Sequence, residues 1–222
     1  MKREWDLSEV SDGKLYLEQD MAKVGCRECE GCHDCCCDMG ESVVLDPYDI
    51  YELCRNLHCD FETLLQGNKL SLGVVDGVIL PHLNMEENGA CRFLNEMGRC
   101  SIHGFRPGIC RLFPLGRVYA DCDYRYFIQI HECSKKERTK VKISKWLGVP
   151  NGRQYHAFVN EWHYFLKKIQ DQAAALQEAG QLKTVGMFIL QEFFLKSYNG
   201  DADFYGQFAD RMKQAKKLPI LK

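Results

Sequence analysis

The chain has 222 residues, of which 27% are charged and 45% hydrophobic. Those proportions suit one globular domain, or a domain with an appendage, and exclude a disordered or fibrous chain. The opening MKREWDL has no apolar segment of the secretory kind. The longest apolar stretches, such as Val185–Leu190, fall far short of the roughly 20 residues a membrane span needs, so no membrane partner and a soluble, cytoplasmic protein are the expectation.

The 13 cysteines all lie between Cys26 and Cys133. An odd number of thiols in a chain with no secretory signal argues against a disulfide framework and for thiolates gathered around metal. The net charge of −2 conceals an asymmetry: residues 1–133 carry 13 Lys+Arg and 23 Asp+Glu, whereas residues 134–222 carry 16 and 8. Metal-bound cysteines lose their protons, which makes the first part more negative still. The basic part can dock on the acidic one or recruit a protein partner; two solvated faces of opposite sign account for the same numbers.

In chain order, residues 1–25 read as a lead-in with weak helical character. Residues 26–40, CRECEGCHDCCCDMG, hold almost no large apolar side chains and need a metal or a covalent tie to fold. Asp46, Pro47 and Asp49 open a helix running to about Leu57. A second helix spans Phe61 to Gln66. Leu72–Val75 and Val78–Leu83 flank Asp76–Gly77, a strong two-residue hairpin signal. Cys91–Leu94 and Arg117–Ala120 are predicted as short strands, and Tyr124–Ile130 as a longer one. FRPGICRLFP should be a turn or a single helical turn.

A lysine-rich stretch follows over residues 135–145. Lysine without interleaved aromatics reads as a solvated face, so nucleic acid is not an expected partner. Three helical patterns complete the chain: Asn151 to a stop near Gly180, Gln181–Ser197, and a third capped by Asp201 with Phe204, Phe208 and Met212 on one face. The predicted fold is α+β: a small metal-stapled, cysteine-rich part with short strands and helices, then a three-helix C-terminal part. The corresponding segments are 1–25, 26–133 and 134–222, the last packed on the second.

The chemistry concentrates in two runs. Cys26, Cys29, Cys32, Cys35, Cys36 and Cys37 place six thiols in twelve residues. Repeated C-x-x-C spacing lets two sulfurs reach one ion; zinc takes four such donors, and so does an iron–sulfur cluster. Cys26, Cys29, Cys32 and Cys36 reproduce the ferredoxin spacing C-x2-C-x2-C-x3-C, which keeps a [4Fe-4S] centre among the expectations. Cys37 stands where ferredoxins have proline. The second run, CRFLNEMGRCSIHGFRPGICRLFP, adds Cys91, Cys100, His103 and Cys110, with Cys100-x-x-His103 at a ligand spacing. Arg106 and Arg111 flank it, as donors to thiolate sulfur, as binders of an anionic cofactor or substrate, or as surface ion pairs. Cys133 sits at the end of a predicted strand that can deliver it to the same centre. Cys54 and Cys59, at a helix end, read as core thiols.

Cys29-x-x-Cys32-x-x-Cys35-Cys36, the LDPYDI that follows, then CRFL, CSIH, RP and CRLFP resemble the bacterial cysteine-cluster family, described as zinc- or iron-chelating. The resemblance covers roughly residues 26 to 133. It implies that Cys29, Cys32, Cys35, Cys36, Cys91, Cys100 and Cys110 are the metal-associated positions, with Cys26 and Cys37 as extra thiols. A distant branch of that family is similar to flagellin lysine-N-methylases, which use S-adenosylmethionine. This sequence has no G-x-G pair, so no Rossmann-type methyl-donor site is visible. Three functions stand side by side: a metal-binding protein holding zinc or iron, a metal-dependent enzyme modifying a protein side chain or performing redox chemistry, and a metal store.

Overall fold

The computed structural model describes residues 6–26, 32–135, 137–175 and 179–218, with side chains apart from residues 173–182. Its elements in order are α1 (Leu7–Val10), β1 (Met21–Gly25), α2 (Pro47–Leu57), α3 (Phe61–Gln66), β2 (Leu70–Val75), β3 (Val78–Leu83), α4 (Gly108–Leu112), β4 (Leu115–Ala120), β5 (Asp123–Ile128), β6 (Thr139–Lys142), α5 (Ile143–Leu147), α6 (Gly152–Ala175), α7 (Ala179–Leu190) and α8 (Phe204–Ala215). Short 3-10 turns cover Asp34–Cys36 and His103–Phe105, and a π-helical turn Gln191–Leu195 extends α7. The class is α+β, with antiparallel strand pairs β1–β6, β2–β3 and β4–β5.

The chain divides into two compact units, interleaved in sequence. The first comprises Met1–Met39, Met85–Ser101 and Pro107–Asn160; the second comprises Gly40–Asn84, Ile102–Arg106 and Glu161–Lys222.

In the first unit, β4 and β5 pair from Leu115↔Ile128 to Ala120↔Asp123, around a turn whose Asp121 and Cys122 both take positive φ. Tyr16 adds an edge to β5 by exchanging backbone hydrogen bonds with Tyr126 at 2.8 and 2.9 Å. The lead-in is thus more than weakly helical. Beyond α1 it contributes β1, whose alternating Ala22 and Val24 are buried and whose partner β6 comes from the lysine-rich stretch. Period-two alternation over only five residues is a faint signal beside so many charges. The segment Cys91–Leu94 forms no strand. Cys91 makes a single bridge to Met85, and the chain then turns, with Leu94 bridging Cys100.

In the second unit, the Asp76–Gly77 turn takes φ of +47° and +85°, and β2 and β3 pair in register from Val75↔Val78 to Leu70↔Leu83. Those dihedral signs are the ones a two-residue hairpin of matching twist requires. The apolar residues 43–45 run along the other side of β3, with Leu45 N–H donating to Pro81 O and Leu83 N–H to Val43 O. Helix α2 begins in a complete capping box: Asp46 accepts from Asp49 N–H at 2.9 Å, and Asp49 accepts from Asp46 N–H at 3.0 Å.

The core of this unit is aromatic. Phe193 is fully buried, with ring centroids 5.0 Å from Trp162, 5.7 Å from Phe165 and 5.8 Å from Phe208. Arg211, almost completely buried, donates to the carbonyls of Glu192, Lys196 and Ser197 at 2.6–2.8 Å and lies 3.5 Å over the Tyr198 ring. It satisfies carbonyls that the end of the π-turn would otherwise leave open.

Two predicted helix boundaries move. Gly180 lies inside α7 rather than ending α6, and the cap of α8 is Asp203, which accepts from Gly206 N–H at 2.6 Å, rather than Asp201. Both positions offer an Asp two residues apart before the same apolar face, and only backbone geometry separates them.

Candidate metal centre

Three stretches of the first unit bring thiols together. The first is Cys32–Cys37, wound through the 3-10 turn Asp34–Cys36. The second is Cys91–Cys100. Backbone pairing locks these two: Cys91 N–H donates to Cys36 O at 2.7 Å, Asp38 N–H donates to Gly89 O at 2.8 Å, and Cys37 bridges Ala90. The lock needs Gly89. Its φ of +82° disfavours a side chain, and a Cβ there would meet the Asp38 carboxylate. The turn is also tied to the irregular segment that follows β5, because Ser134 Oγ donates to the Asp34 carboxylate. The third stretch is α4, which carries Cys110.

The side chains respond to that arrangement. Cys36 hydrogen-bonds Cys35, and this bond, burial, and the neighbouring sulfurs of Cys35, Cys100 and Cys110 push its thiol far above the ordinary range. Thiols from all three stretches therefore share one neighbourhood. Burial first, then the carboxylates of Asp38 and Asp34 and the Cys35 sulfur, also push the Cys37 thiol up. The Asp34 carboxyl is held down chiefly by Ser134, with smaller help from Cys32, His33 and Lys135. Crowded neutral thiols are acids waiting for a cation: a metal ion replaces their protons and removes the repulsion that keeps them protonated.

The remaining predicted residues are distributed as follows. Cys32, Cys35, Cys36, Cys37, Cys100 and Cys110 are half-buried, and Cys91 is buried. Cys26 follows β1 and Cys133 follows β5; both are half-buried, and the Cys133 carbonyl accepts from Arg138 at 3.0 Å. Cys29 lies outside the described residues. His103 and Arg106 belong to the second unit, where Arg106 Nη1 faces His103 Nε2. Arg111 Nη1 reaches Leu147 O, 3.5 Å away at the end of α5. Among the described residues, no three His, Cys, Asp or Glu side chains form a ready-made metal-binding group. The donor chemistry fits a thiophilic ion nonetheless: soft sulfur donors from separate stretches, two of them held together by backbone pairing.

Sequence reasoning passed over two residues that build this site, Asp34 and Ser134. Their contact spans 100 residues of chain, and no local pattern encodes it. Cys122 is exposed at the β4–β5 turn. Among the described residues, no helix is long and apolar enough to cross a membrane.

No curated protein and no solved structure matches the chain. One family's sequence profile does, over residues 28–143, a span that contains all three thiol-bearing stretches. On that match, which covers just over half its length, the chain belongs to the CxxCxxCC family, whose domain is described as a "putative zinc- or iron-chelating domain".

Proposed function

We propose that the protein holds zinc or iron in its first unit through the thiols of Cys26–Cys37 and Cys91–Cys110, with Cys133 as a further donor. The observation that supports this reading is the backbone pairing that holds Cys36 against Cys91 and Cys37 against Ala90, with the Cys35, Cys100 and Cys110 sulfurs near enough to push the Cys36 thiol up. Zinc would be closed by four sulfur or nitrogen donors. Iron would be held by four cysteines, as in a [4Fe-4S] centre, for which Cys26, Cys29, Cys32 and Cys36 have the spacing. In either case the ion, once bound, supplies cross-links that the apolar-poor stretch from residue 26 to 40 lacks.

Metal analysis and a visible spectrum of protein purified without oxygen test this. Tightly held zinc in a colourless protein, or iron with visible absorption, is the expected result, and the two outcomes separate the zinc reading from the iron–sulfur reading. Folded protein that takes up neither metal would refute both.

A further inference from the structure

The second unit contains a cavity of about 1000 Å³ whose wall includes Cys54, Cys59, Tyr51, Arg55, Phe61 and Tyr198. We infer that Cys54 and Cys59 form a dithiol that closes to an intramolecular disulfide when a small disulfide enters this cavity.

The geometry comes from the way α2 ends. His58 takes a left-handed conformation (φ +52°, ψ +44°), and the N–H groups of both His58 and Cys59 donate to the Cys54 carbonyl. In such an ending, the residue just beyond the left-handed position folds back onto the residue in the last helical turn that accepts its hydrogen bond. Hydrophobic side chains usually meet there; in this chain the two positions are both cysteine. The Cys59 sulfur is near enough to act on the Cys54 thiol. Burial first, then Cys59 and Asp60, push the Cys54 thiol up to about 12, while burial and Asp60 push Cys59 up. Both residues are half-buried on the cavity wall, so reagent access needs no unfolding. Neither belongs to the thiol-bearing stretches of the first unit, and the inference does not rest on metal binding.

The step balances with one disulfide RSSR as oxidant. Cys59, the less enclosed thiol, gives its proton to solvent, and its sulfur attacks one sulfur of the reagent. The reagent S–S bond breaks, and RS⁻ leaves and takes a proton. Cys54 then loses its proton and attacks the Cys59 sulfur. The mixed disulfide breaks, and the second RS⁻ leaves and is protonated. Two protein thiols are oxidised to one disulfide, and RSSR is reduced to two RSH.

The test treats the full chain, as purified, with 2-hydroxyethyl disulfide at mildly alkaline pH, followed by acid quench, alkylation, trypsin digestion and mass spectrometry. The expected product joins fragment 28–55 to fragment 56–69 through Cys54 and Cys59, with both residues lost from the alkylated pool. In Cys59→Ser the link disappears and Cys54 is alkylated. Free, alkylated Cys54 and Cys59 in wild-type protein whose exposed Cys122 carries the reagent would overturn the inference. So would either residue joined to a different cysteine.

Discussion

The aromatic core of the second unit and the Cys32–Cys37 stretch of the first are held by different physics. The second unit buries rings against rings: Phe193 and Phe194 are at most 1% exposed, and Trp162, Phe165 and Phe208 close around Phe193. In the first unit the Cys32–Cys37 stretch has little to bury, whereas Phe93 and Leu112 are buried beside the other thiols. Of residues 32–39, none is buried, and their order comes from backbone pairing at Cys36 and Asp38 and from one carboxylate–hydroxyl contact. Apolar area stabilises a fold without any ligand. A patch of neutral thiols does so only once a cation replaces their protons. The comparison teaches where metal should matter and where it should not.

The sharpest way to break this contrast is stringent chelation. Structural zinc is worth about 10–16 kcal/mol in small metal-folded domains. We expect hydrogen exchange after chelation to speed up at the Cys91 and Asp38 amides, which bond Cys36 and Gly89, while amides around Phe193 stay protected. Equal loss in both units, or none in the first, would erase the distinction.

The converse experiment is Phe193→Ala. Removing a fully buried ring should cost roughly 3–5 kcal/mol of stability, read as a lower urea midpoint, and leave the metal content of folded protein unchanged. Arg211→Leu comes next. It strips the guanidinium from the carbonyls of Glu192, Lys196 and Ser197, and a loss of about 2–4 kcal/mol in the same urea assay is expected.

The smallest effect is electrostatic. Arg125, then the Tyr124 N–H and His156, hold the Asp123 carboxyl down to about 2. A carboxyl whose folded value lies below its unfolded value near 3.9 stabilises the fold above that unfolded value. The contribution fades as pH falls towards about 2. Asp123 is 42% exposed, so solvent screening keeps it below about 1 kcal/mol. Asp123→Asn should flatten that part of the stability–pH curve and leave the rest unmoved.

Much of the fold was legible in the sequence because its signals are local. Asp46-Pro47-x-Asp49 announces a cap, Asp76–Gly77 a hairpin, and the spacing of Tyr155, Phe158, Trp162 and Ile169 a buried helical face. What was not legible depends on partners far along the chain. Strand β1 is a strand because β6, more than 100 residues later, pairs with it. Cys91–Leu94 looked extended, but the tight turn leading to Cys100 prevails. At the site, the family resemblance pointed to the thiols, while the tie between Asp34 and Ser134 left no local trace. Cys54 and Cys59 read as core from composition; the left-handed His58 that faces them together appears only in the backbone.

Differential alkylation of the anaerobically purified full chain, mapped residue by residue before and after chelation, tests the central claim most directly. The account predicts that Cys36, Cys100 and Cys110 resist the reagent while zinc or iron is bound, and become reactive together when it is removed, as exposed Cys122 reacts throughout. If those three thiols are modified at the same rate with and without the chelator, in protein that stays folded, they do not share a metal.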